Sequence, residues 1–252
     1  MAVLLAVAAW APPPTGLADA DVVYEEYAEG GLIRLIAVFQ SRDSAAVGPV
    51  TGLRPTDPRV LEVFHGCAAL TGASSGFLKQ LTSAGVCAIY SAPTTSTGRL
   101  YAQLPKGHTP PPPTFLYAGA GERLGSLAKA VKTLVVTPPG GASQTWTYDR
   151  AARVWRSVLG GSAVSAANVE VLTSTYRAIV VHSPLRTLLG APVFGTGAAT
   201  VVSGAATVHG SWFRPSAKTL TNVVDEEQQV VHLVPGRTWV LFAPTGSTVV
   251  TH

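Results

Sequence analysis

Residues 19–57, DADVVYEEYAEGGLIRLIAVFQSRDSAAVGPVTGLRPTD, decide how the chain is read. Two apolar runs, 22–27 and 32–39, flank Glu29-Gly30-Gly31. Glycine reaches positive φ without a Cβ clash, so Gly-Gly between β-rich runs predicts a hairpin turn. The first run alternates loosely, while the second is nearly continuous, as in a strand covered on both faces. With a period of two, Glu25 and Glu29 share one face about 13 Å apart, and Glu26 takes the other. Arg34 then sits across the turn, opposite Tyr27 or Ala28. Only 13% of the chain is charged, so this much polarity beside buried strands marks a candidate ligand site. Its members are Glu25, Glu29, Arg34, Gln40, Ser41, Arg54 and Asp57. Arg54 and Asp57 follow the next short strand, where a guanidinium can hold an anionic group through two hydrogen bonds. A structural ion pair that satisfies buried charge is the competing reading of the same residues.

Working outward, Asp57-Pro58 opens a helix running to about residue 64, since Asp at the cap and Pro in the first turn are favourable. Residues 67–71 read as a strand, 77–84 as a helix ended by Gly85, and 86–90 as another strand. Strand–helix–strand implies a parallel, right-handed crossover. The Gly72-Ala73-Ser74-Ser75-Gly76 loop then lies where a strand ends and a helix begins, a usual place for ligands. Ser74 and Ser75 therefore join the candidate set. Prolines 110–113 predict an extended segment. From residue 130 the pattern is β-rich, with strands expected at 133–137, 145–149, 154–158, 168–173, 198–203, 206–213, 230–234 and 238–243. The fold class is α+β: an N-terminal mixed α/β sheet domain, 1–125, then a β-rich C-terminal domain, 126–252. Trp146, Trp155, Trp212 and Trp239 fall on these strands and read as core.

The chain has 252 residues, 47% of them hydrophobic, enough for a sizeable core. The net charge of +4 comes without a Lys/Arg cluster, which argues against a nucleic-acid partner. The six histidines lack ligand spacing, no nucleotide-loop or hydrolase signature is present, and neither metal nor cofactor is expected. Cys67 and Cys87 read as buried thiols, with a bridge between them left to geometry. The opening run MAVLLAVAAW is too short to span a bilayer, and no transmembrane segment is expected.

The motifs A-D-V-V-Y-E, E-G-G-L-I-R, F-Q-S and V-G-P-V closely resemble the bacterial YerB-like lipoproteins, a family of unassigned biochemical function. Asp21, Tyr24, Glu25, Glu29, Gly30, Gly31, Arg34, Ser41, Gly48, Pro49 and Arg54 match its pattern. Thr51 and Gly52 stand where the family has Arg-Ser, and Ile33 where it has Thr. Four later elements, W-T-Y-D, N-V-E-V, G-S-W and P-G-R-T-W, follow the family's order in the second half. The resemblance implies that residues 2–8 form a first strand, ahead of the P-P-T-G-L-A-D-A-D segment. It also implies an extracytoplasmic protein, membrane-anchored or secreted, with any signal or lipid-bearing cysteine expected upstream.

The resemblance suggests a non-enzymatic, cell-envelope-associated binding or scaffold protein. Its charged cleft would lie in the N-terminal domain and take an envelope polymer. One alternative is a hydrolase or transferase on such a polymer, with Glu25 or Glu29 as acid or base. A second is a protein–protein interaction module using the C-terminal part.

Overall fold

The computed structural model describes residues 1–107, 114–119, 124–182 and 185–252. The extended segment expected at 110–113 lies outside them. The first part of the chain gives β1 (Ala2–Val7), β2 (Val22–Tyr27), β3 (Ile33–Val38), β4 (Cys67–Leu70) and β5 (Cys87–Tyr90). Next come β6 (Lys129–Ala130), β7 (Thr133–Thr137), β8 (Gln144–Asp149), β9 (Val154–Leu159), β10 (Ser162–Ala166) and β11 (Asn168–Ser174). The last group is β12 (Arg177–His182), β13 (Leu185–Gly190), β14 (Gly195–Ser203), β15 (Ala206–Arg214), β16 (Asn222–Asp225), β17 (Thr238–Pro244) and β18 (Thr248–Thr251). Three short helices accompany them: α1 (Asp57–Leu61), α2 (Ser75–Ser83) and α3 (Thr97–Tyr101). No helix among the described residues is long and apolar enough to cross a membrane.

The chain is β-rich throughout, and one sheet joins its two halves. Strand order in that sheet is β16-β15-β14-β11-β17-β2-β3-β1-β4-β5, with β6 added beside β15. The junction is the parallel pair β17–β2, in which Trp239 faces Val23 and Leu241 faces Glu25. A second, antiparallel sheet, β10-β9-β8-β7-β18, packs on one face. Between the two sheets lie Val3, Leu5, Val23, Leu35, Ala37, Val169, Val171 and Leu241, with Trp146, Trp155 and Trp239. The opposite face carries Leu4, Ile36, Val240 and Leu172 under Leu61, Phe64, Phe77 and Leu81 of the helical layer. Strands covered on both faces need apolar residues at successive positions, which is why 2–7 reads as an unbroken apolar run and 33–38 as one interrupted only by Arg34. Residues 2–7 are indeed the first strand.

The crossover β4–α2–β5 forms as expected, with β4 and β5 parallel and Gly85 at φ 75 ending the helix. Where the sequence favours two buried thiols, this register sets Cys67 opposite Cys87 with Cα atoms 4.4 Å apart, and they form a disulfide. The bridge spans a separation of 20 residues. Closing a loop of that size is worth about 3 kcal/mol through the unfolded chain. Cys67→Ala/Cys87→Ala is therefore expected to lose about that much stability in urea unfolding.

Two local expectations are corrected. The hairpin turn is longer than a two-residue turn: Glu29–Gly31 form a short 3-10 turn closed by Ala28 N–H donating to the Leu32 carbonyl at 2.8 Å. Glu29 thus leaves the strand, and Arg34 pairs with Glu26 rather than with Tyr27 or Ala28. Residues 230–234 form no strand. Val230 makes one bridge to Val224, and Leu233 pairs instead with the passing segment 116–118. Their alternation is genuine, since Val231 and Leu233 are buried while Val230 is exposed.

Candidate functional site

The nine residues singled out in the sequence fall into five places. Arg34 on β3 reaches the helical face of the sheet. There its Nε meets Glu26 Oε1 at 3.3 Å, and Nη2 meets Asp57 Oδ2 at 2.8 Å and the Gly52 carbonyl at 3.0 Å. Asp57 opens α1, and its Oδ2 also accepts the Arg54 backbone N–H at 2.7 Å. All three side chains are buried. Burial first, and then the charge of Asp57, lifts the Glu26 carboxyl to about 7 against the pull of Arg34. Burial also raises Asp57. Two acids share one guanidinium here, which makes the group a buried ion cluster.

Glu25 points to the other face, between the sheets, and is 0% exposed. Its Oε2 accepts from Trp239 Nε1 at 2.7 Å and Gln144 Nε2 at 3.3 Å, beside the edge-on Trp146–Trp239 pair. Desolvation outweighs both donors and raises its carboxyl to about 7. The structure therefore separates Glu25 from Glu29, Arg34 and Arg54.

Glu29 pairs with Arg54 at the hairpin turn, where both side chains are partly exposed, and its Oε2 accepts from Leu189 N–H at 3.4 Å. Burial pushes this carboxyl up, but its own backbone N–H and Arg54 overcome that and hold it below the usual range. Ser74 and Ser75 lie at the start of α2 as the crossover requires, and Ser74 caps the helix without a side-chain hydrogen bond. Their loop runs next to Gly52, whose N-terminal neighbour Thr51 accepts a hydrogen bond from Thr71 N–H.

Gln40 and Ser41 lie at the opposite end of the hairpin. Asp21 Oδ2 accepts both of their backbone N–H groups, at 2.6 and 2.9 Å, and Ser41 Oγ donates to Asp21 Oδ1. This end opens onto a cleft of about 1120 Å³. Three cationic side chains line it: Arg42, Arg153 in the β8–β9 turn, and Arg237 just before β17. Arg237 is committed to the fold, donating to the Ala18, Ala20 and Ser165 carbonyls. Arg42 and Arg153 are exposed and donate no side-chain hydrogen bond to a described residue. Asp19, Asp21, Gln40 and Tyr117 are among the other polar residues that line it. Of the sequence candidates, only Gln40 and Ser41 reach this cleft. Arg153, Arg237 and Tyr117 come from three distant segments, so no local spacing announces them.

Residues 1–131 match the family model described as "Protein of unknown function (DUF3048) N-terminal domain", and residues 135–240 match the DUF3048 C-terminal domain. The chain belongs to this family. The family's YerB branch supplies both a sequence and a structural relative. "Putative lipoprotein YerB" of Bacillus subtilis (strain 168) is 40% identical over 73 residues, which is 29% of this chain and 22% of that protein. The crystal structure of the YerB protein from Bacillus subtilis superposes with a TM-score of 0.76 at 20% identity, covering 99% of this chain and 93% of that one. At that identity the likeness is one of fold. The YerB-like motif of residues 19–57 contributes to both polar places, the closed one around Arg34 and the open one around Asp21 and Ser41.

Proposed function

We propose that this YerB-like chain is an extracytoplasmic, non-catalytic binding protein that holds an anionic segment of an envelope polymer in the Arg42–Arg153–Arg237 cleft. The observation that carries this reading is two uncommitted guanidinium groups on a cleft of about 1120 Å³. Arginine presents a planar fork of donors that matches phosphate and carboxylate oxygens. Asp19 and the Gln40 amide offer hydrogen-bond partners for a polar or zwitterionic ligand on the same wall. The cleft draws on both halves of the sequence, so the ligand would bridge them. An oxidising compartment is supported by the Cys67–Cys87 disulfide and by the lipoprotein name of the Bacillus relative.

The test is to incubate the purified protein with isolated cell-wall sacculi, with mass spectrometry of both the pellet and the supernatant. Co-sedimentation without new soluble fragments is expected, and Arg42→Ala/Arg153→Ala should weaken it by about tenfold or more, since each charged hydrogen bond contributes about 1.5–3 kcal/mol. Protein-dependent fragments would replace binding by catalysis, and a supernatant that keeps all the protein would remove the envelope polymer as ligand.

A further inference from the structure

A second site lies on the helical face of the large sheet. Register partners set Leu4, Ile36, Tyr24, Val240, Glu170, Val201 and Val208 in one row across seven strands. Every position in that row is apolar or aromatic except Glu170 on β11. It is 5% exposed, and no described residue donates a hydrogen bond to its carboxylate. A structural acid at such a depth is ordinarily paired or hydrogen-bonded, and Glu26, Glu25 and Asp57 of this same chain obey that rule. Glu170 instead lines a cavity of about 300 Å³ whose walls include Phe115, Leu220, Val231 and Leu233.

We propose that this cavity is a ligand site in which Glu170 anchors the protonated amine of a small amphipathic molecule, with the apolar walls holding its hydrocarbon or aromatic body. A mostly apolar pocket with a few polar groups, here Glu170 with Thr114, Thr221 and Asn222, is the usual form of a small-molecule site. The charge chooses the amine. Arg214 lines a small adjoining cavity that also includes Glu170, but it donates to the carbonyls of Arg59, Val193, Ala217 and Thr219 and offers nothing to Glu170. Tyr24 from β2 and Tyr117 from the crossing segment are the other titratable groups facing it, and both stay neutral through the physiological range because burial raises them. Burial alone lifts the Glu170 carboxyl to about 7, so a ligand cation supplies the missing counter-charge and draws the proton off. This site is distinct from the arginine cleft, which selects the opposite charge, although Thr114 borders both.

The test is calorimetric titration of the full chain with n-hexylamine, 1-hexanol and hexanoate. The amine is expected to bind at least about tenfold more tightly than the alcohol at about pH 8, with the preference shrinking toward about pH 6 as Glu170 protonates. Glu170→Gln should abolish that preference. Equal affinity for amine and alcohol in the native protein would overturn the proposal, as would tighter binding of hexanoate or an amine preference that survives Glu170→Gln. The ligand series is read on the native chain, so the outcome does not hang on the variant. Failure here would leave the arginine cleft and its test untouched.

Discussion

Replacing Arg34 by Ala is expected to cost about 3–5 kcal/mol and to leave little folded protein at body temperature. The guanidinium is the one positive group between Glu26 and Asp57, at 3.3 and 2.8 Å, and it also satisfies the Gly52 carbonyl. Truncation strands two buried carboxyls and a carbonyl together, and a side chain of this size leaves a void besides. Arg54 is a useful contrast. Its pairing with Glu29 is partly exposed, and Arg54→Ala should cost no more than about 1 kcal/mol. Two signatures distinguish charge from mere volume at Arg34. The defect should shrink at about pH 5, below the value of about 7 at which Glu26 takes up its proton, and Glu26→Gln added to Arg34→Met should recover part of the loss. Urea unfolding of the four variants measures all of this. An Arg34→Ala protein as stable as the native chain would mean that the cluster does not hold the fold.

Stability should rise as the pH is lowered from about 8 to about 5, the reverse of the usual acid side. Burial raises Glu25, Glu26 and Glu170 from 4.5 to about 7 in the folded chain. A carboxyl whose folded value is raised binds its proton more tightly when folded. Its favourable contribution is therefore fully present below 4.5 and is lost as the pH climbs through about 7. Each such displacement corresponds to about 3 kcal/mol at most. Glu29, held below the usual range by its backbone N–H and Arg54, works the other way: its contribution is present above 4.5 and is lost as the pH falls below that. Glu25→Gln isolates one group, because an amide oxygen still accepts from Trp239 and Gln144. That variant should gain about 1–3 kcal/mol at about pH 8, several degrees in melting temperature, and nothing at about pH 5. A melting temperature that falls steadily from about pH 8 to about pH 5 would contradict the burial of these charges.

How much of this the sequence carried can be argued element by element. The nearly continuous apolar run of β3, the strand–helix–strand crossover and the four core tryptophans are local patterns, and they were legible. The hairpin was legible too, but not its register, because a turn longer by a few residues moves Arg34 from Tyr27 to Glu26. β6, β10, β12, β13, β16 and β18 were not legible because they are short or solvent-facing, with little apolar alternation. The candidate site divided for a geometric reason. Successive strand residues face opposite sides, so Glu25 and Glu26, adjacent in sequence, end in different cores. The open cleft was half visible. Asp21, Gln40 and Ser41 stood in the recognised motif, whereas Arg153 and Arg237 reach the cleft only through tertiary folding. Glu170 had a readable signal, a lone acid inside Asn168-Val169-Glu170-Val171-Leu172, but its cavity depends on segments more than fifty positions away in the sequence.

The most direct measurement is the affinity for sacculi of two folded double variants, Arg42→Glu/Arg153→Glu and Glu29→Gln/Arg54→Ala, each set against the native chain. They alter the two solvent-reachable polar places at opposite ends of the same hairpin. Reversing the arginines should abolish binding, while changes at Glu29 and Arg54 should leave it within about twofold, since that pair would touch no ligand. Native-like binding by the reversed variant, or loss confined to the Glu29–Arg54 change, would place the ligand at the turn and contradict the cleft as its site.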